Sequence, residues 1–311
     1  KDAQLPEVSK AGAKDNSSIQ GGYDKNKRPF PENWKVMKRD YLPFISLTKN
    51  SRGIYSIDPS IGCSSGMSLG DNGCYGDCYA AKSARLYGYD FSKTVFRTFK
   101  DKRHEKRIIH EINRVKLDFV RMGTSGDPSE NWEHTFNILE VISKSNKEIV
   151  IITKHWYTIP DKFLYILKTI NISINSSVSA LDTPEQVDKV LNEYYRLKPF
   201  CRSFLRVVSC DFNLTNKEGA RLAAIQNDLL KNEDVIDTVF RVSPKNEYVK
   251  NGIINIRQAN FLGKKVYVSK FNKKTYLGKC DTCLEMCGVR MLNEGYTYPD
   301  KRFIPKQLEL F

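Results

Sequence analysis

The chain has 311 residues, 40% of them hydrophobic and 28% charged, with a net excess of fourteen positive charges. That is enough apolar material for one large core or two small ones, while the lack of any long apolar run excludes a membrane span and eight cysteines are too few for a disulfide scaffold. The basic balance favours polyanionic partners such as nucleic acid, or anionic small substrates; a lysine-rich solvated surface accounts for it equally well.

Residues 1–44 read as a flexible extension, polar and punctuated by Gly21-Gly22, Pro29 and Pro31. They lack the apolar stretch of a signal peptide, which makes a cytoplasmic location the expectation. Short strands are expected in "YLPFISL" and "GIYSID". A glycine-rich loop then carries Cys63, Cys74 and Cys78 in "GCSSGMSLGDNGCYGDCYAAK" and runs into a helix, "CYAAKSARLYG". A second helix, "DKRHEKRIIHEINRVK", sets Ile108, Ile109, Ile112 and Val115 at helical spacing.

From there, apolar runs of strand length alternate with amphipathic helices. The strands are "DFVRMG", "EIVIITK", "ISINSSVS", "FLRVVSC" and "DTVFRVS". Asp182-Thr183-Pro184-Glu185 combines a helix cap with a first-turn proline. Such alternation predicts a parallel sheet with helical crossovers. The units, about six over residues 45–260, suit an open or partial barrel. Residues 261–311 form a C-terminal segment: a basic, aromatic β stretch "FLGKKVYVSKFNKKTYLGK", the cluster "CDTCLEMCG" and a tail "FIPKQLELF".

In parallel βα sheets function gathers at the carboxyl ends of the strands. The polar residues there are the cysteine loop, Ser125-Gly126-Asp127 within "GTSGDPS", Lys154-His155-Trp156, Ser176 and Ser177, Cys210, and Arg241. "GTSGDPS" follows a strand and precedes a helix, so it offers a seat for an anionic group or a plain turn capped by Asp127 or Ser129. His155 reads first as a packing residue. The sequence has no paired histidines at helical spacing, no Walker A loop and no GxGxxG.

Thiolates select zinc or iron–sulfur clusters. The first triad is spaced Cx10Cx3C and the second, Cys280, Cys283 and Cys287, Cx2Cx3C. Three and three either share sites or each leave one coordination position open, and an open position on iron is a place for chemistry. Free or redox-paired thiols are the alternative. Cys201 and Cys210 stand alone, as small buried hydrophobes do.

The cysteine loop after the first strand of a six-unit βα array resembles the radical S-adenosylmethionine (SAM) superfamily. So does "GCYGDCYAAK", in which an aromatic follows the last cysteine and a helix begins. "TSGD" sits where that superfamily keeps a Gly-Gly-Glu-like motif for the methionine amino group. The nearest likeness is a small radical-SAM-like family frequent in phage genomes. Its chains show "CYA" before a basic helix, a strand-end "SGD", a "TK" after the next strand and a C-terminal cysteine cluster. The likeness covers roughly residues 45–290. One feature departs from the superfamily spacing CxxxCxxC: Cys74 and Cys78 match its first half, position 81 is alanine, and Cys63 becomes the third ligand.

The resemblance implies an α/β fold, a partial (β/α)6 barrel of radical-SAM type. It implies a [4Fe–4S] cluster on Cys63, Cys74 and Cys78, a second centre on Cys280, Cys283 and Cys287, and SAM held by Ser125, Gly126, Asp127 and Ser177. Reductive cleavage of SAM to a 5′-deoxyadenosyl radical would abstract hydrogen from a nucleic acid or nucleotide. Lys154, Cys210 and Arg241 are the catalytic candidates, and an electron donor protein is an implied partner. Two alternatives are a zinc-stabilised βα-barrel nucleobase-modifying transferase, with Asp127 as nucleophile or base, and a non-catalytic nucleic-acid-binding metalloprotein that uses "KKVYVSKFNKK" as its contact surface. A lysine-protected edge strand explains that last stretch as well.

Overall fold

In a computed structural model of the chain, the alternating apolar runs become a nine-stranded, mostly parallel sheet. The structure describes residues 44–70, 72–272, 275–283, 285 and 287–289. The extension expected over residues 1–44, apart from Phe44, and the C-terminal tail lie outside the described residues.

The strands are β1 (Thr48–Lys49), β2 (Tyr55–Ser56), β3 (Ser60–Ile61), β4 (Val95–Phe96), β5 (Phe119–Met122), β6 (Glu148–Thr153), β7 (Ile172–Val178), β8 (Arg202–Ser209), β9 (Asp211–Phe212), β10 (Val235–Arg241), β11 (Ile254–Asn255), β12 (Arg257–Phe261) and β13 (Lys264–Ser269). The helices are α1 (Ser64–Met67), α2 (Tyr79–Leu86), α3 (Lys102–Asn113), α4 (Trp132–Ile142), α5 (Asp161–Leu167), α6 (Pro184–Leu197), α7 (Lys217–Leu230) and α8 (Glu247–Lys250). The sheet order is β1-β2-β5-β6-β7-β8-β10-β13-β12. Its centre, β2 to β10, is parallel, and both ends are antiparallel. β3 pairs with β4 and β9 with β11 in two small ribbons.

Local chemistry sets the helix starts. Asp101, Asn131 and Thr183 cap α3, α4 and α6 by accepting the backbone N–H three residues on, each worth about 1 kcal/mol. Ile108 and Ile112 lie one turn apart and turn inward from α3. They join Phe136, Leu139 and Ile142 of α4 and the alternate strand residues Val120, Met122, Ile149, Ile151, Ile172 and Ile174 in the main core. Each fully buried aliphatic side chain there contributes about 1.5–3 kcal/mol.

Strand alternation sends the intervening residues to the opposite face. Phe119 and Val150 there pack with Ile54, Cys280 and Cys287. The C-terminal cysteine segment thus lies on the sheet face away from α3 and α4. Asn175 Nδ2 donates to the Cys287 carbonyl (3.2 Å) and Arg202 to the Gly288 carbonyl (3.1 Å).

The boundary expected between residues 260 and 261 falls inside β12. β12 and β13 form one hairpin, and β13 pairs on β10, so this segment extends the sheet. The two-residue turn is Leu262-Gly263, both with positive φ (50° and 79°). That is the requirement of a type I′ hairpin turn, which favours Asn-Gly or Gly-Gly and seldom takes leucine. No helix among the described residues is long and apolar enough to cross a membrane.

Candidate functional site

The first cysteine loop lies across the carboxyl ends of the parallel strands and is tied to four of them. Past β5, Gly62 bridges Gly126, and its N–H donates to the Ser125 carbonyl. Past β6, Lys154 Nζ donates to Tyr75 Oη at 2.5 Å. Past β7, Tyr75 Oη donates to Asp182 (3.0 Å). Past β10, Asp77 accepts from the Ser243 N–H (2.6 Å) and Asn246 Nδ2 (3.1 Å). The loop thus meets the strand ends past β5, β6, β7 and β10.

Within the loop the thiols of Cys63 and Cys74 converge over Gly66. A Cβ at position 66 would stand 2.9 Å from Cys63 Sγ and 3.3 Å from Cys74 Sγ. Only glycine lets both sulfurs occupy that space. Cys63 caps α1, its sulfur accepting from the Gly66 N–H (3.3 Å). Cys78 stands at the N-cap position of α2 without a side-chain capping hydrogen bond, and burial raises its thiol pKa against the opposing pull of the Ala81 and Ala80 N–H groups.

Burial pushes the Cys63 thiol up, reinforced by Asp127, Glu130 and Cys74. Burial pushes Cys74 up to about 12, against the pull of Lys154 and with the repulsion of Cys78. Mutual repulsion of neighbouring thiolates is what a bound cation reverses. Cys63, Cys74 and Cys78 form no disulfide, which leaves three soft donors on one loop. Such a donor set fits zinc or an iron–sulfur cluster. Among the described residues no three His, Cys, Asp or Glu side chains already stand in a metal-holding group, so loading requires the thiols to close further.

Asp127 is engaged elsewhere. Its carboxylate accepts from Ser129 N–H (2.9 Å), Ser129 Oγ (2.8 Å), Thr153 Oγ1 (2.6 Å) and Lys154 N–H (2.7 Å). It knits the ends of β5 and β6 together, which leaves little of the carboxylate for a ligand. The anion seat expected in "GTSGDPS" is filled from within the chain. Asp58 accepts from the N–H groups of Gly123 (3.0 Å), Thr124 (2.8 Å) and Ser125 (3.1 Å). Ser125 and Gly126 therefore act here through their backbones, as the seam against the cysteine loop.

The carboxylate within hydrogen-bonding reach of Cys63 is Glu130. It accepts from Ser64 Oγ (2.5 Å) and the Ser65 N–H (2.9 Å), with Cys63 Sγ at 3.5 Å. Sequence reasoning passed over it because its partners lie some 65 positions earlier; the acidic residue at the end of "GDPSE" was the one available signal.

Lys154 is nearly buried and pairs with Asp182 at 2.5 Å. His155 is buried, shares a hydrogen bond with Ser176 Oγ (2.9 Å), and burial drops its pKa to about 3. It is a neutral packing residue. Cys210 is fully buried beside Phe212 and Phe240, and Gln226 saturates its backbone. Burial raises its thiol pKa, so it sits as a core hydrophobe and not on the rim. Ser177 stays half-buried on β7, on the same face as Asn175. Arg241 lies over the Tyr79 ring (5.1 Å) and the Phe261 ring (5.3 Å).

Beside the loop opens a cleft of about 660 Å³, lined by Tyr75, Asp77, Trp156, Asp182, Asn246 and Tyr248 among others. Its size suits a nucleotide-sized ligand, and Trp156 Nε1 is buried there without a hydrogen-bond partner.

The second triad borders a smaller cavity of about 30 Å³, which it shares with Arg52, Arg121 and Arg206. Burial raises the Cys280 thiol pKa, while Arg52 and Arg121 act against it. Cys287 Sγ lies 3.9 Å from Arg206 Nη1. Set against protein-family models, curated proteins and solved structures, the chain finds no match in any of the three.

Proposed function

We propose that the protein is a radical-SAM-type iron–sulfur enzyme acting on a nucleic acid or nucleotide. The observation that carries the reading is the convergence of Cys63 and Cys74 over Gly66, on a loop that also holds Cys78 and spans the carboxyl ends of the parallel strands. The six parallel strands β2, β5, β6, β7, β8 and β10 follow one another in chain order, which supports reading the sheet as the wall of a partial (β/α)6 barrel. Cys63, Cys74 and Cys78 would hold a [4Fe–4S] cluster. What the cluster supplies when bound is one low-potential electron for reductive cleavage of SAM, with hydrogen abstraction from the substrate to follow.

The remaining work falls to the chain's own residues. Glu130 orders the backbone around Cys63 through Ser64 and Ser65. Lys154, fixed by Asp182 and Tyr75, places positive charge beside Cys74 and favours its thiolate. The cleft offers Trp156, Tyr75 and Tyr248 as faces for an adenine ring and Asp182, Gln186 and Asn246 as polar partners. Glu130 is the carboxylate in contact with Cys63, and its oxygens, like those of Asp127, are engaged by the chain's own donors. An electron donor protein and a reducing, cytoplasmic setting complete the reading.

Anaerobic reconstitution followed by iron, sulfide and zinc assays tests it. About four iron and four sulfide per first site are expected. Stoichiometric zinc without sulfide would replace this reading with the zinc-stabilised transferase.

A further inference from the structure

From Tyr248 to Cys280 the sequence has no aspartate or glutamate and eight basic residues: Lys250, Arg257, Lys264, Lys265, Lys270, Lys273, Lys274 and Lys279. These 33 residues thus hold eight of the chain's net fourteen positive charges. At the centre of that stretch is the β12–β13 hairpin.

Its register assigns each side chain to a face. Gln258 lies opposite Tyr267 and Asn260 opposite Lys265. All four are exposed, Tyr267 at 41%. On the other face Phe261 and Val268 are buried. Phe271, just past β13, is exposed at 37%. One face therefore presents amides, an aromatic ring and a cation, with no carboxylate.

Several exposed basic side chains elsewhere have a carboxylate one turn away, as in Lys102–Glu105, Arg221–Glu218 and Lys231–Asp228, and Lys250 at the start of the stretch pairs with Glu247. Among the described residues, no carboxylate pairs with Arg257, Lys264, Lys265 or Lys270. Protection of a sheet edge does not explain this. The edge strand is β12, with a single charge, Arg257; the paired lysines sit on β13, inside it.

We propose that this hairpin is a docking strip for single-stranded nucleic acid, with Lys265 on a phosphate and Tyr267 stacked on a base of the exposed face, and Lys264, exposed beside the turn on the opposite face, reaching a phosphate where the strand rounds the hairpin tip. Interleaved cations and exposed aromatic rings are the means by which proteins hold single strands. A flat polar sheet face offers no helix to enter a duplex groove. The hairpin's other, buried face adjoins the site. Phe261 lies under Arg241 at 5.3 Å, Arg241 over Tyr79 at 5.1 Å, and Tyr79 directly follows Cys78. The inference rests on the proposed function for its substrate class, yet docking needs no loaded cluster.

The test is fluorescence anisotropy with a labelled 15-nucleotide single strand, DNA or RNA, and the full chain. Lys264→Ala with Lys265→Ala should weaken binding about tenfold and lower the slope of log K against log salt by about 1.4, at 0.7 per phosphate contact. Tyr267→Ala should cost at least about fivefold. Lys102→Ala with Lys106→Ala, the same charge change on exposed α3 positions, should change affinity less than about threefold. Cys74→Ala should bind as the unsubstituted protein does, which separates failure of docking from failure of the cluster. Unfolding midpoints of the hairpin variants check that they fold. Equal losses in the α3 and hairpin variants, equal affinity for duplex or for anionic vesicles, or no effect at Tyr267 would each overturn the proposal.

Discussion

Replacing Gly66 with alanine separates the metal site from the fold. The new Cβ would stand 2.9 Å from Cys63 Sγ and 3.3 Å from Cys74 Sγ. In metal-free protein the thiols can swing aside, and alanine within α1 gains about 0.8–1.0 kcal/mol of helix propensity over glycine. In loaded protein both sulfurs are pinned to the metal and the contact cannot relax. Overpacking of that kind costs about 1–3 kcal/mol, equivalent to metal binding about 5- to 150-fold weaker. The variant should therefore unfold no earlier than the parent when metal-free, yet lose iron first in competition with a chelator. Chemical denaturation of metal-free protein and chelator titration of reconstituted protein give the two readings. A variant that keeps iron as tightly as the parent, or that loses it only as it loses fold, would refute the convergence of the two thiols on one centre.

Lys154→Met strands the Asp182 carboxylate, whose side chain is only 3% exposed; a loss of about 3–5 kcal/mol is expected in denaturant melts, partly recovered by adding Asp182→Asn. Glu130→Ala removes the acceptor of Ser64 and Ser65 and should cost about 1–3 kcal/mol together with weaker iron retention, read by the same chelator titration. Because burial lowers the pKa of His155 to about 3, the unfolded chain takes up a proton below about pH 6.5 that the native state refuses. Stability should thus fall as pH drops, by about 2 kcal/mol from this group between pH 7.5 and 5, and His155→Gln should flatten that dependence in thermal melts. Cys63→Ala should lose as much iron as Cys74→Ala, by iron assay after reconstitution, whereas Cys210→Ala, a change in the core, should keep it.

The parallel sheet was legible because each βα unit carries its own local signal. The Ile108/Ile112 stripe, the Thr183-Pro184 helix start and runs such as "EIVIIT" depend on neighbours within a few positions. The rim was legible for the same reason, since strand ends can be read one at a time. What stayed hidden is long-range. Asp58 fills the backbone cradle of residues 123–125 from 65 positions away, and Glu130 reaches back to Ser64 and Ser65. The cap on Ser129 was legible as one of the two readings of Asp127, whereas its hydrogen bonds from Thr153 and Lys154 are invisible until β5 and β6 lie side by side. The hairpin was cut at residue 261 because Leu262-Gly263 is a poor turn signal: leucine pays for its positive φ with strain that only the pairing of β12 on β13 holds in place.

The central claim is that the loop of Cys63, Cys74 and Cys78 supports reductive cleavage of SAM. Anaerobically reconstituted protein, mixed with SAM and dithionite and analysed for small-molecule products, tests it most directly. The account predicts 5′-deoxyadenosine and methionine in equal amounts, both abolished by Cys74→Ala. Intact SAM over protein carrying a full complement of iron and sulfide would contradict it.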